Sequence, residues 1–103
     1  MDGAQAGIVA GRQRKAYCRK LCVAWLIDRG RHDLNSLGEA TGMPRRTLQD
    51  CIADLGDIGI VCDFVQDGPR NRHGHYVIRD WGDHDPRWIE AHFERLLGEL
   101  AAS

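Results

Sequence analysis

The chain has 103 residues, 43% of them hydrophobic, and a formal net charge of −1. A chain this short supports one core with little room for an enclosed active site, and it holds no run of about 18 apolar residues that could cross a membrane. Near-neutrality argues against a protein that coats nucleic acid over its whole surface, but residues 1–32 hold seven Lys/Arg against two Asp/Glu and residues 80–103 hold two against six, which predicts one basic face and one acidic end.

Residues 1–12 are small and mixed and lack the basic-then-apolar order of a secretory signal. They are expected to form a flexible arm on a cytoplasmic protein. A helix is predicted over 14–29, where Cys18, Leu21, Cys22, Trp25 and Leu26 recur at i, i+3, i+4, i+7 and i+8. Gly30 follows as a left-handed C-terminal glycine would. Asp33 suits the N-cap of a short second helix with Leu34, Leu37 and Ala40 on its apolar face, closed by Gly42. Two turns are unstable alone, so this helix needs packing partners.

Pro44 then opens a third helix, predicted over 44–58, with Leu48, Cys51, Ile52, Leu55 and Ile58 facing inward. Gly56 weakens its last turn and Gly59 closes it. The period now changes. Residues 60–66 and 75–81 read as strands, rich in β-branched and aromatic side chains, with Tyr76 and Ile78 on one face and Val77 and Arg79 on the other. The turn-rich, basic segment 67–74 joins them as a hairpin. Asp85-Pro86 caps a last helix with Ile89, Phe93, Leu96, Leu97 and Leu100 along one stripe. Ile89, Phe93, Leu96 and Leu100 are spaced like a heptad seam, which fits a homodimer interface or packing onto the first helix.

The centre of this order is a helix-turn-helix: two short helices joined by Gly42-Met43-Pro44, the second projecting outward. Arg45, Arg46, Gln49 and Asp50 lie opposite Leu48, Ile52 and Leu55, where the first turns of such a helix reach base edges. Arginine can pair with guanine and glutamine with adenine. Thr47 and the free amides at the helix start can hold a phosphate. With Asp50, Asp54 and Asp57 counted, the predicted helix is net acidic, which opposes tight non-specific binding.

Residues 33–81 resemble the winged helix-turn-helix superfamily of bacterial transcription regulators, on the stretch Leu37-Gly38-Glu39-Ala40-Thr41-Gly42-Met43-Pro44-Arg45-Arg46-Thr47-Leu48 and the exit Leu55-Gly56-Asp57-Ile58-Gly59-Ile60-Val61. The whole chain is similar to a group of small bacterial winged-helix DNA-binding proteins. The resemblance implies an α+β, mostly α fold: a three-helix core and two-stranded wing over 13–81, and an additional C-terminal helix over 85–101 that can pair two copies. It implies double-stranded DNA as partner and transcription regulation as the task. Arg45, Arg46, Thr47 and Gln49 become recognition-helix contacts, and Arg70, Asn71 and Arg72 wing contacts.

Two other readings stay open. The acidic end and the acidic third helix fit an adaptor that binds protein instead of DNA. Cys18 and Cys22, one turn apart, could join Cys51 or Cys62 in a metal or thiol sensor, although buried cysteine is a common core residue. None of the four cysteines forms a Cys-x-x-Cys pair, and scattered histidines argue for no metal. No Ser-His-Asp order, paired-carboxylate motif or Gly-rich phosphate loop marks an enzyme, a cofactor or a small-molecule substrate.

Overall fold

The computed structural model describes residues 11–30, 32–68 and 73–101. The chain runs α1 (Arg12–Arg29), α2 (Leu34–Thr41), α3 (Arg45–Ala53), a 3₁₀ segment (Asp54–Ile58), β1 (Val61–Gln66), β2 (Gly74–Asp80), α4 (Pro86–Ala91) and α5 (Phe93–Ala101). The expected arm at 1–12 lies outside the described residues up to residue 10, and Arg12 already belongs to α1.

α1 is the spine. Cys18, Leu21, Cys22 and Ala24 join Leu55, Ile60, Ile89 and Leu96 in one buried cluster. Val23 and Ile27 join Leu37, Leu48 and Cys51 in a second. A helix packed from two sides buries more than one stripe. This explains why Val23, Ala24 and Ile27 are fully covered while Trp25 and Leu26 are only half-buried. Each fully buried Leu or Ile contributes about 1.5–3 kcal/mol relative to exposure.

Gly30 departs from expectation. Its φ of −154° and ψ of 176° are extended. The chain leaves α1 straight rather than curling back, because the next stretch pairs with the hairpin: Tyr76 N–H donates to His32 O at 2.9 Å. Asp33 then caps α2 as expected. Its Oδ1 accepts from Ser36 N–H at 2.9 Å, and Ser36 Oγ accepts from Asp33 N–H at 3.0 Å, a reciprocal capping box that satisfies two orphan donors.

α3 is shorter than the predicted helix. The α-helical bonding ends at Ala53, and Asp54–Ile58 tighten into 3₁₀ geometry before Gly59 turns the chain at φ 85°. Leu55 still points inward, because three- and four-residue spacings bury the same side chains over one turn. Pro44 is the N-cap, at φ −61° and ψ 151°, rather than the first helical residue.

β1 and β2 pair antiparallel, with Cys62 opposite Ile78, Phe64 opposite Tyr76 and Val65 opposite His75, and an irregularity between Val61 and Cys62. Gly82, at φ 64°, sits against the turn that ends the 3₁₀ segment; a Cβ there would lie 2.5 Å from Gly59 O. Asp85 accepts from Arg87 N–H at 2.9 Å and Pro86 starts α4.

The single C-terminal helix expected over 85–101 is broken. His92 takes φ −115° and ψ 12°, and its Nδ1 lies 2.8 Å from Trp88 O. The break lets both halves follow α1. Ile89 and Leu96 are buried in the same cluster as Cys18 and Leu21, and Phe93 lies against Trp25 with ring centroids 4.6 Å apart. α4 and α5 thus share the core of the preceding elements.

Candidate nucleic-acid interface

The turn before α3 aims its outer face. Gly42 adopts φ 75° and its N–H donates to Gly38 O at 2.8 Å. Only glycine takes such a φ without strain. Thr41 Oγ1 donates to Leu37 O at 2.7 Å and accepts from Met43 N–H at 3.1 Å, so the turn is held from both ends. Leu48 and Cys51 anchor α3 in the core. Arg45, Arg46, Gln49 and Asp50 are left facing solvent.

These four do not form one uniform patch. Arg45 reaches back to α2, where its Nη1 donates to Asn35 Oδ1 at 3.2 Å. Arg46 pairs with Asp50 at 3.7 Å, and both side chains are mostly exposed, 86% and 66%. Such a pair is worth only about 0.3–0.5 kcal/mol, so Arg46 can exchange it for a stronger acceptor. Thr47 is half-buried and faces away from the hairpin. It lines an open groove of about 640 Å³ with Arg19 and Lys20 of α1, Asp50, and Leu97 and Leu100 of α5.

The electrostatics differ from the sequence reading in one respect. Asp54 and Asp57 belong to the 3₁₀ segment, beyond the helix. α3 itself carries Arg45 and Arg46 against Asp50, a net charge of +1. The expected net-acidic recognition helix is therefore corrected: the change of helix type after Ala53 removes two of its three acids.

Of the basic residues on α1, Arg14 is occupied. It donates to both carboxylate oxygens of Glu99, at 2.9 and 3.1 Å. That hydrogen-bonded guanidinium holds the Glu99 carboxyl below its ordinary range. Arg19 and Lys20 remain at the groove.

Arg70, Asn71 and Arg72 lie outside the described residues. The base of their loop is braced: Asp67 N–H donates to His73 O at 3.1 Å, and His75 Nδ1 lies 3.0 Å from Asp67 Oδ1. Farther along the hairpin Arg79 and Asp63 pair at 3.2 Å. Two large side chains that sequence reasoning did not single out stand exposed, Phe64 on β1 at 48% and Trp88 on α4 at 43%. Trp88 stacks on His92 and lies under Arg95.

Of the heptad seam expected to pair two copies, Ile89 and Leu96 are fully buried within their own chain. Phe93 is half-buried on Trp25, and Leu100 lines the groove beside α3. The thiols are likewise spent in the interior. Burial pushes Cys22 up to about 12 and Cys62 up to about 11. Among the described residues no three His, Cys, Asp or Glu side chains converge as metal ligands, and no helix is long and apolar enough to cross a membrane.

Comparison with known proteins matches this geometry. A family model described as winged helix-turn helix covers residues 12–100. The crystal structure of a DUF2131 family protein from Shewanella amazonensis SB2B is similar over 90% of this chain and 96% of that one, with 49% identity and a TM-score of 0.86. No curated protein matches the sequence.

Proposed function

The chain belongs to the winged helix-turn-helix family, and from that premise we propose that it binds double-stranded DNA as a transcriptional regulator in the cytoplasm. α3 enters the major groove and the 67–74 loop serves as the wing. The observation that carries this reading is the outer face of α3: Arg45, Arg46 and Gln49 exposed within the first two turns, on a helix of net positive charge anchored by Leu48 and Cys51. Arginine and glutamine present the paired donors and acceptors that base edges require. Arg70, Asn71 and Arg72 add backbone contacts from the wing, and Asp50 tunes base choice by releasing or holding Arg46.

The test is fluorescence anisotropy of a labelled mixed-sequence duplex across a salt series. The logarithm of the binding constant falls linearly with the logarithm of salt concentration, and Arg45→Ala/Arg46→Ala lowers the slope by about two, one per lost phosphate or base contact. Absence of binding at about 50 mM salt, where phosphate contacts are strongest, overturns the reading.

A second reading, a protein-binding adaptor, is favoured by the exposed Trp88 amid the acidic C-terminal helices. Tryptophan is enriched at the energetic centres of protein interfaces. A pull-down that returns one stoichiometric partner and is lost with Trp88→Ala, together with no duplex binding, selects it.

A further inference from the structure

The hairpin and the helix-turn-helix enclose an open cleft of about 320 Å³ beside Arg45. Asn35 and Arg45, each near the start of its helix, form one wall; Phe64, His73 and Tyr76 of the hairpin form the other.

Three features of the cleft belong together. The first is an apolar ring left in water. Phe64 meets the Tyr76 ring edge-on at 5.0 Å yet remains 48% exposed. On this face of the hairpin Cys62 and Ile78 reach the core, whereas Phe64 overhangs it. The second is that the ring's position is set by the backbone. A Cβ at Gly74 would lie 2.7 Å from Phe64 Cε2 and Cζ and would collide with Val65 O. The ring therefore lies across a strand position that only glycine leaves open.

The third feature is the polarity of the surroundings. The Arg45 guanidinium uses one N–H on Asn35 Oδ1, which leaves its other donors and the Asn35 amide N–H₂ for an incoming acceptor. The Tyr76 hydroxyl stands within the field of Arg45. The carboxylate at the cleft, Asp33, is turned into the α2 cap, where it accepts from Ser36 N–H. Hydrogen bonds from Ser36 keep it ionised and bound there. Donors therefore face the cleft beside an uncovered aromatic ring.

An inorganic anion would satisfy the donors and leave the ring in water. An apolar peptide would cover the ring and strand the guanidinium. A nucleic-acid backbone alternates an anionic phosphate with the apolar face of a sugar, and it satisfies both. We infer that this cleft holds one sugar–phosphate unit of the bound strand, with Arg45 and Asn35 on the phosphate oxygens and the Phe64 ring covering the adjoining deoxyribose. The inference rests on the DNA reading above and refines it. Arg45 positions the backbone, whereas Arg46 and Gln49 face the bases.

The test is the same anisotropy titration with Phe64→Ala, Phe64→Trp and Arg45→Ala, each checked by circular dichroism for the wild-type fold. Phe64→Ala weakens binding about tenfold, the scale of one lost aromatic contact, and leaves the salt slope unchanged, because no charge is removed. Phe64→Trp retains wild-type affinity. Arg45→Ala weakens all duplex sequences to a similar degree and lowers the salt slope by about one. Wild-type affinity in a folded Phe64→Ala protein overturns the inference and leaves the DNA reading standing. No salt-dependent duplex binding by the wild-type protein overturns both.

Discussion

Leu96→Ala separates the two roles open to the C-terminal stripe. Leu96 is fully buried, in a cluster with Cys18, Leu21, Cys22 and Ala24 of α1 and Ile89 of α4. Truncating a buried leucine costs about 2–5 kcal/mol, from lost transfer energy and the cavity left behind. The whole domain is held by about 5–15 kcal/mol, so a cost near 3 kcal/mol is a large share of it. At about 4–8 °C per kcal/mol for a domain of this size, the melting temperature falls by about 12–24 °C. The assay is urea and thermal unfolding by circular dichroism at protein concentrations about a hundredfold apart, since a midpoint that rises with concentration reports subunit linkage. For a leucine buried in its own chain, the variant loses the same stability at both concentrations. A loss under about 1 kcal/mol, with a wild-type midpoint that climbs with concentration and a variant midpoint that does not, would place Leu96 between subunits and refute the packing argument.

Other consequences are checked with the same unfolding assay or simple chemistry. Gly82→Ala destabilises by at least about 1–2 kcal/mol, the cost of left-handed backbone alone, because its Cβ also meets Gly59 O; Gly98→Ala, in α5 with nothing within 4 Å of its Cβ, stabilises by about 0.5–1 kcal/mol. Asp33→Ala costs about 1 kcal/mol at neutral pH, as the loss of an N-cap does. Backbone hydrogen bonds from Ser36 lower the folded pKa of Asp33, and the Arg14 hydrogen bond lowers that of Glu99. Their stabilisation is therefore complete above the unfolded carboxylate range of about 3.9–4.3 and is lost as pH falls through the lower folded values. Asp33→Ala and Glu99→Gln each flatten this acid limb, and an unchanged limb would contradict the assignment. At pH 8 a thiol reagent leaves Cys22 and Cys62 unlabelled until urea unfolds the chain, because burial raises both thiols to about 12 and about 11. Rapid labelling of the folded protein would favour the thiol-sensor reading.

Much of the fold was legible because each element announces itself by period. The helical spacing of Cys18, Leu21 and Cys22, the strand-like run at 60–66, and Asp33 and Gly42 as punctuation all correspond to what forms. The misreadings share a physical cause: side-chain spacing reports which residues turn inward, not how the backbone between them is bonded. Leu55 is buried whether its segment is α or 3₁₀, so the end of α3 at Ala53 was hidden, and with it the sign of that helix's charge. The break at His92 was hidden in the same way, since Leu96 N–H still bonds His92 O at 3.0 Å across it.

The site was legible only on one side. Arg45, Arg46 and Gln49 follow from helical geometry once Leu48 is known to face the core. Nothing in the alternation of β1 tells where the hairpin outruns the body of the protein, so Phe64 reads as one more inward strand residue. It becomes notable only when α2, α3 and β2 are assembled around it and leave it uncovered. The same limit applies to the seam of Ile89, Phe93, Leu96 and Leu100. Its spacing is the requirement for packing on any helix, and α1 of the same chain meets that requirement as well as a second copy would. Effective concentration decides between them: a helix joined by a short turn to the sheet that packs on α1 finds that partner without paying for association. What a heptad stripe in a small domain predicts is burial; whether it also predicts assembly depends on whether a closer partner has already taken it.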